Sequence, residues 1–165
     1  MTIPGTPALV RGLKPEDPFL ETYLVRPGGA TVLALGPDER IAVIDKDGGQ
    51  VAELTALDAA GRDDAAALGA TADAPATVIR DALSSRDGSL LVDELGARVL
   101  DPGEANAIRL FGEWSPPGAS QAFRADRAVT VVVAAPGGRI LDGAPPPSEL
   151  LVEVRRAAPR RYEDD

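Results

Sequence analysis

Short runs of aliphatic and β-branched residues alternate along the chain with clusters of glycine, proline and aspartate. Such runs, bounded by turn residues, are typical of β-strands. They predict strands over residues 20–25, 31–35, 40–45, 50–57, 107–114, 128–134 and 150–154. The run at 128–134 is apolar on both faces, so we expect it to be a central strand. The pattern therefore predicts a β-rich fold.

Turn residues and a helix-start signal add to the strand pattern. The Asp47-Gly48-Gly49 turn favours a hairpin, and the four strands within residues 20–57 then predict a β-meander. Asp73 and Pro75 predict a helix start, whereas residues 89–95 fit either a short helix or a buried strand. The predicted class is α+β and β-rich. It is a barrel or a two-sheet sandwich of about eight strands with one or two short helices.

The predicted domain organisation is simple. Residues 1–18 are rich in proline and glycine and predict an extended N-terminal arm. Residues 19–156 predict a single β-rich domain, as expected for a chain of 165 residues. Residues 157–165 predict a charged C-terminal tail.

Composition excludes whole classes of chemistry. The chain contains no histidine and no cysteine, which excludes Ser–His–Asp and Cys–His catalysis and every thiolate metal site. We therefore lean against an enzyme and predict no catalytic residue, no metal site and no cofactor. The net charge of −9 argues against nucleic acid as a partner. No apolar run is long enough to span a membrane and no signal peptide is evident, so we expect a cytoplasmic protein.

Four residues are predicted to bind a ligand. Gln50 and Glu53 belong to the densest polar cluster, which begins at Asp45. The carboxylates of this cluster could hold a hard cation, but aspartate and glycine are also what such a turn requires, and we favour the turn. Trp114 could line a pocket or simply pack in the core. Arg124 could clamp a carboxylate ligand or pair with a nearby aspartate.

A second set of carboxylates could act in catalysis or could simply lie in a solvated loop. Asp63 and Asp64, with Glu53, could form paired carboxylates for acid–base work. No basic residue type that titrates near neutral pH is present to tune them, so we favour a solvated loop.

Two segments carry a family resemblance. The stretch RIAVIDKDGGQVAELTALDA, residues 40–59, resembles the opening motif of the urea carboxylase-associated family, a domain formerly of unknown function. Asp45 and residues 49–52 match that motif, and Glu53 stands where the family usually has aspartate. The stretch FRADRAVTVVVAAPGG, residues 123–138, resembles the closing motif.

The resemblance also implies what this chain lacks. Family members carry cysteine and histidine residues that can hold a metal, and Ala135 stands here where the cysteine would be. The chain therefore resembles a variant without the metal site. Similar domains precede folate-dependent aminomethyltransferase-like proteins of the glycine-cleavage T type, which implies an aminomethyltransferase- or carboxylase-type partner.

These observations lead to a functional expectation with two alternatives. We expect a non-catalytic accessory or substrate-recognition domain of an aminomethyltransferase- or demethylase-like enzyme, with a small amine or carboxylate as a possible ligand. The first alternative is a small hydrolase or deiminase acting on urea- or guanidine-like compounds. The second is a free-standing small-molecule binding protein.

Overall fold

The computed structural model describes residues 18–80, 105–112, 114–136 and 149–158. These residues form two antiparallel sheets, which confirms the predicted two-sheet sandwich. The first sheet has the order β1-β9-β3-β7 and the second sheet has the order β2-β8-β4-β6-β5. The strands are β1 (Leu20–Val25), β2 (Ala30–Leu35), β3 (Arg40–Asp45), β4 (Ala52–Leu57), β5 (Ala74–Pro75), β6 (Asn106–Leu110), β7 (Ala119–Arg124), β8 (Val129–Ala134) and β9 (Leu150–Arg155).

The predicted meander is wrong. Strands β1 to β4 lie alternately in the first and second sheets, so none of them pairs with its neighbour in sequence. The turn at residues 46–51 crosses between the sheets, and the Asp45 carboxylate stabilises it by accepting hydrogen bonds from the Gly48 and Gln50 N–H groups, both at 3.0 Å. A glycine-rich turn looks the same in sequence whether it closes a hairpin or joins two sheets.

The core lies between the two sheets, and a second apolar cluster covers the outer face of the second sheet. Within β4 every residue is buried, because Leu54 belongs to the inner cluster and Leu57 to the outer one. Ala76 and Ile79, at the start of a helical turn over residues 77–80, pack on that outer face. As predicted, β8 is central, since it pairs with both β2 and β4.

Several boundaries differ from the predictions. Strand β7 was not predicted, because most of this edge strand is exposed and its residues show no apolar alternation. Strand β6 ends at Leu110, and Phe111 turns the chain with a φ of +62°. The predicted helix start at Asp73 is replaced by β5, and the helix begins at residue 77. A 3-10 helix, Ala65–Leu68, was also missed. Residues 1–17 of the predicted arm (1–18), the segment 89–95 and residues 159–165 of the predicted tail (157–165) lie outside the described residues.

A charged cluster joins the two sheets at one end of the sandwich. The Arg156 guanidinium donates to both carboxylate oxygens of Glu21 in β1, at 3.0 Å each, and to Glu39 at 2.9 Å. It also donates to the Ala34 carbonyl in β2 at 2.6 Å. The Tyr23 hydroxyl donates to Glu21. Burial, together with that hydrogen bond, raises the pKa of Tyr23 above its ordinary value, so the phenol stays a donor.

Candidate functional site

The polar cluster around Asp45 is a structural turn. Asp45 is fully buried, and its two carboxylate oxygens accept the Gly48 and Gln50 N–H groups described above. A carboxylate that satisfies loop N–H groups stabilises the loop conformation. The turn interpretation therefore agrees with the geometry, and Gln50 itself is buried beside that turn.

The loop that carries Trp114 is held against this turn. The Gly49 N–H donates to the Ser115 carbonyl at 2.9 Å, and the Gly118 N–H donates to the Asp45 carbonyl at 2.7 Å. Ser115 also accepts the Gly112 N–H on its hydroxyl at 2.8 Å. Trp114 is 89% exposed on this loop. It therefore does not pack in the core, and its predicted contact with a ligand stays a prediction.

Glu53 lies on the outer face of the second sheet. Its neighbours Ala52 and Leu54 belong to the inner core, and alternation along β4 directs Glu53 outward. The side chain is only 7% exposed. The Thr77 hydroxyl donates to Oε2 at 2.6 Å and the Val78 N–H donates to Oε1 at 3.1 Å. The carboxylate therefore caps the first turn of the helix over residues 77–80, where the helix dipole favours negative charge.

The residues beside Glu53 form a row across four strands. Glu53 lies opposite Ala134 on one side and Arg109 on the other, and Ala134 lies opposite Ala30. The two alanines place only methyl groups next to the carboxylate, while Arg109 is exposed. We name Ala30, Ala134, Glu53 and Arg109 the Glu53 row. It combines one buried anion, two small apolar side chains and one cation on a single face.

Sequence reasoning did not single out Thr77 or Arg109 as members of a site. The signal for Thr77 is a hydroxyl residue directly before the apolar pair Val78 and Ile79, which is typical of a helix start. Arg109 could not be found from sequence alone, because its position beside Glu53 depends on the pairing of β4 with β6.

Arg124 lies apart from the other three predicted residues. It ends β7 opposite Arg40, whereas the turn at Asp45 lies at the other end of β3, opposite Ala119. Five residue steps along a strand span about 17 Å. Arg124 pairs with the exposed Asp38. The fold thus brings Gln50 and the Trp114 loop together, places Glu53 on the outer face of the second sheet, and separates Arg124 from all of them.

The other carboxylates considered as acid–base pairs are engaged elsewhere. Asp63 accepts two hydrogen bonds from Asn106, both at 3.1 Å. Asp64 forms an ion pair with Arg127, with the closest N···O distance at 2.6 Å. Neither carboxylate is hydrogen-bonded to Glu53 in the described part of the chain. The solvated-loop interpretation agrees with these contacts better than a catalytic pair does.

The described residues contain neither a metal-binding group of carboxylates nor a membrane-spanning helix. Within residues 18–80, 105–112, 114–136 and 149–158, no group of three or more aspartate or glutamate side chains could hold a metal ion together. Over the same residues, no helix is long and apolar enough to cross a membrane.

Comparison with known proteins finds a curated relative and solved structures with a similar fold. No family model matches the chain. A trimethylamine-oxide aldolase from Ruegeria pomeroyi is 36% identical over an alignment that covers 94% of this chain and 20% of the relative. The chain thus spans about a fifth of the length of the curated relative it matches.

One fold neighbour is a DUF1989 family protein from Silicibacter pomeroyi, known from its crystal structure. The two structures have a TM-score of 0.52 and 15% sequence identity, and the match covers 88% of this chain and 85% of that chain. At this identity the likeness concerns the fold alone. The fold of this chain is therefore similar to that of a DUF1989 family protein.

The relative corrects the functional expectation. A non-catalytic accessory or substrate-recognition domain was expected, but the relative is named as an enzyme. Its name does not match the two alternatives either, since it describes neither a urea- or guanidine-type hydrolase nor a free-standing binding protein. The error arose because the absence of histidine and cysteine excludes particular catalytic groups, not catalysis as such.

Proposed function

We propose that this chain forms part of an enzyme that cleaves trimethylamine N-oxide or a similar methylated amine oxide. The observation that carries the proposal is the match to the aldolase along almost all of this chain. An aldolase releases an aldehyde. From trimethylamine N-oxide, one methyl carbon would leave with the oxygen as formaldehyde, and dimethylamine would remain. One C–N and the N–O bond break, the carbon–oxygen bond forms, and one methyl hydrogen moves to nitrogen.

We propose the Glu53 row as the part of this chain that contacts the substrate. The nitrogen and methyl groups of an amine oxide carry positive charge, which the Glu53 carboxylate complements. Ala30 and Ala134 place only methyl groups beside it, which suits the methyl groups of such a substrate. Thr77 and Val78 hold both carboxylate oxygens, so the anion is oriented before a substrate arrives. Glu53 would position the cationic nitrogen for cleavage.

Other sequence predictions stay predictions. These are ligand contacts of Gln50, Trp114 and Arg124, membership in the urea carboxylase-associated family, a cytoplasmic location, and an aminomethyltransferase- or carboxylase-type partner. The division into an arm, a domain over residues 19–156 and a tail also stays a prediction. The likeness in fold to a DUF1989 family protein is compatible with the family prediction.

A segment exchange tests the proposed activity. This chain would replace the matching fifth of the Ruegeria pomeroyi aldolase, and formaldehyde release from trimethylamine N-oxide would be measured with dimethylamine as the second product. We expect the chimera to retain activity within about tenfold of the parent enzyme, because the exchanged segments would perform the same task. A folded chimera that releases neither product would contradict the proposal.

Variants within the chimera test the site. We expect Glu53→Gln to lower kcat/KM at least about tenfold, since it removes the charge that faces the substrate. Thr77→Val is the matched control, because it removes the 2.6 Å hydrogen bond but keeps the carboxylate. Arg62→Ala, in an exposed loop, should leave activity unchanged. An equal loss in Glu53→Gln and Thr77→Val would assign Glu53 a structural role only.

A further inference from the structure

Trp114 is the most exposed large apolar side chain among the described residues. It is 89% exposed, whereas Leu24 and Phe19 are 52% and 37% exposed. An indole ring is among the largest apolar groups in a protein, and it stabilises a structure only when it is removed from water. The Trp114 ring therefore adds little to the stability of this chain and faces outward, where a second molecule or domain can contact it.

The loop that carries Trp114 is held in one conformation. Phe111, which is half-buried and packs against the inner core, turns the chain with a φ of +62°, a strained conformation for a bulky residue. Pro116 and Pro117 fix their own φ angles, and hydrogen bonds join the loop to the turn at Asp45. A ring that is already fixed in place loses little conformational entropy when it binds.

An apolar row lies on the outer face of the first sheet. Leu151 in β9 lies opposite Leu24 in β1 on one side and opposite Ile44 in β3 on the other. At least one strand neighbour of each belongs to the inner core, so alternation directs these three side chains outward. Leu24 is 52% exposed, and the other two are half-buried. We name Trp114, Leu24, Leu151 and Ile44 the Trp114 surface.

The loop and the apolar row lie at the same end of the first sheet. The Gly118 N–H, at the end of the loop, donates to the Asp45 carbonyl at 2.7 Å, and Asp45 directly follows Ile44 in β3. Leu24 lies three strands away from β7, which is about 14 Å. One protein interface covers roughly 800 Å² on each partner, which is large enough to include all four side chains.

We propose that the Trp114 surface docks on the rest of an aldolase-type enzyme, in the same polypeptide or in another. The match covers 94% of this chain but 20% of the relative, so about four-fifths of that aldolase lies outside the match. A domain that works beside so large a remainder needs a surface that contacts it. The inference rests on the proposed function, since it takes this chain to be part of such an enzyme.

The chemistry of the surface defines its partner. Tryptophan is the residue most enriched among those that dominate binding energy at interfaces, and it does so in well-packed pockets that exclude water. The partner surface should therefore contain an apolar pocket for the indole ring, with an oxygen that accepts the indole N–H. Contiguous exposed apolar side chains beside such an anchor are typical of protein–protein contact.

Hydroxyl-radical footprinting of the whole chain, alone and within the Ruegeria pomeroyi chimera, tests the proposal. Trp114 is the single tryptophan of the chain, so its oxidation is measured directly by mass spectrometry. We expect Trp114 to react at least about fivefold more slowly in the chimera, because the interface excludes water, and Leu24 to be protected with it. Phe19, 37% exposed at the other end of β1, should react equally in both. Unchanged Trp114 oxidation in a folded chimera would overturn the proposal.

Two variants separate docking from a structural role. In the chimera, Trp114→Ala should raise Leu24 oxidation at least about twofold towards the rate in the chain alone. In the chain alone, the same substitution should leave the Tm within about 1 °C, because the ring is exposed. Arg62→Ala, in an exposed loop, should leave Leu24 oxidation in the chimera unchanged. Equal Leu24 oxidation in the parent and Trp114→Ala chimeras would overturn the proposal.

Further outcomes distinguish this inference from the proposed activity. A folded chimera that protects Trp114 but releases neither product would contradict the activity and support the docking. A chimera that releases both products while Trp114 reacts as in the chain alone would overturn the docking and support the activity. Sedimentation of the chain alone tests a second copy as the occupant, and a dimer that protects Trp114 would overturn the proposal.

Discussion

The Arg156 guanidinium and the Glu21 carboxylate lie face to face, with both N···O distances at 3.0 Å. The pair joins the residue after the last strand of the first sheet to that sheet's first strand. Arg156 also donates to the Ala34 carbonyl in the second sheet, so one side chain connects both layers of the sandwich. Because the Glu21 side chain is only 8% exposed, its charge depends on this partner rather than on water.

Replacing Arg156 with methionine should destabilise the fold by about 3 kcal/mol, because Glu21 and Glu39 are poorly solvated and would lose the cation that they share. The free energy of unfolding in urea measures the loss. Arg124→Met is the matched control, since its pair with Asp38 is exposed, and it should cost less than about 1 kcal/mol. Equal costs for the two variants would contradict this account.

Acid should weaken the fold through Glu39. Burial disfavours its charged form, but the N–H groups of Gly36 and Ala157 and the Arg156 guanidinium outweigh burial and lower the pKa of Glu39 below its ordinary 4.5. A carboxyl with a lowered pKa in the folded state contributes stability that is complete above the unfolded pKa and disappears as the pH falls through the folded pKa. The contribution should therefore fade below about pH 4.5.

The measurement is the free energy of unfolding between neutral pH and about pH 3, where exposed carboxyls also titrate. We expect Glu39→Gln to be less stable than the parent at neutral pH, and the difference should shrink as the pH falls. Glu149→Gln changes an exposed glutamate and should leave the pH profile unaltered. A Glu39→Gln deficit that is independent of pH would argue against the lowered pKa.

Gly48→Ala should disturb the loop that carries Trp114. A methyl group at Gly48 would lie 2.6 Å from the Ser115 carbonyl oxygen and 2.7 Å from the Pro117 nitrogen. The residue also has a φ of +79°, which costs a non-glycine residue about 1 kcal/mol or more. Gly28→Ala shares a positive φ but has open space around the added methyl group. Gly48→Ala should therefore be the less stable of the two and alone should change Trp114 fluorescence.

Glu53 and Thr77 should be energetically coupled. A double-mutant cycle with Glu53→Gln and Thr77→Val removes the hydroxyl–carboxylate hydrogen bond from both sides, and we expect a coupling energy of about 1 kcal/mol. Urea unfolding of the four proteins gives the value. The same cycle built with Thr130→Val, on the neighbouring strand β8, should show coupling near zero. Additive effects of Glu53→Gln and Thr77→Val would mean that their contact contributes nothing to stability.

The strands with strong apolar patterns could be predicted, and their partners could not. Alternation identified β1, β3 and β9 nearly to the residue, and the double-sided apolar run identified β8 as central. Strand β7 was missed because an exposed edge strand needs no apolar face. The sheet to which each strand belongs depends on loop geometry, such as the carboxylate of Asp45 inside its turn, and a period of two says nothing about that geometry.

The candidate site was only partly predictable for a related reason. Glu53 and Gln50 were found because polar residues are dense in that stretch of sequence. The helix start that holds Glu53 lies 24 and 25 residues further along the chain, and Arg109 reaches its side only through strand pairing. Arg124 was grouped with Glu53 on chemical type alone.

Strand β9 lies between β1 and β3, and this position governs how the protein can fold. Residues 20–25 find their partners only at residues 150–155, so the first sheet consists almost wholly of contacts between distant parts of the sequence. Such a topology has a high contact order and folds slowly. On the ribosome, β1 and β3 would be made early and would wait, with open edges, until β9 emerged. A nascent chain of this kind would depend on chaperones to keep those edges from pairing wrongly.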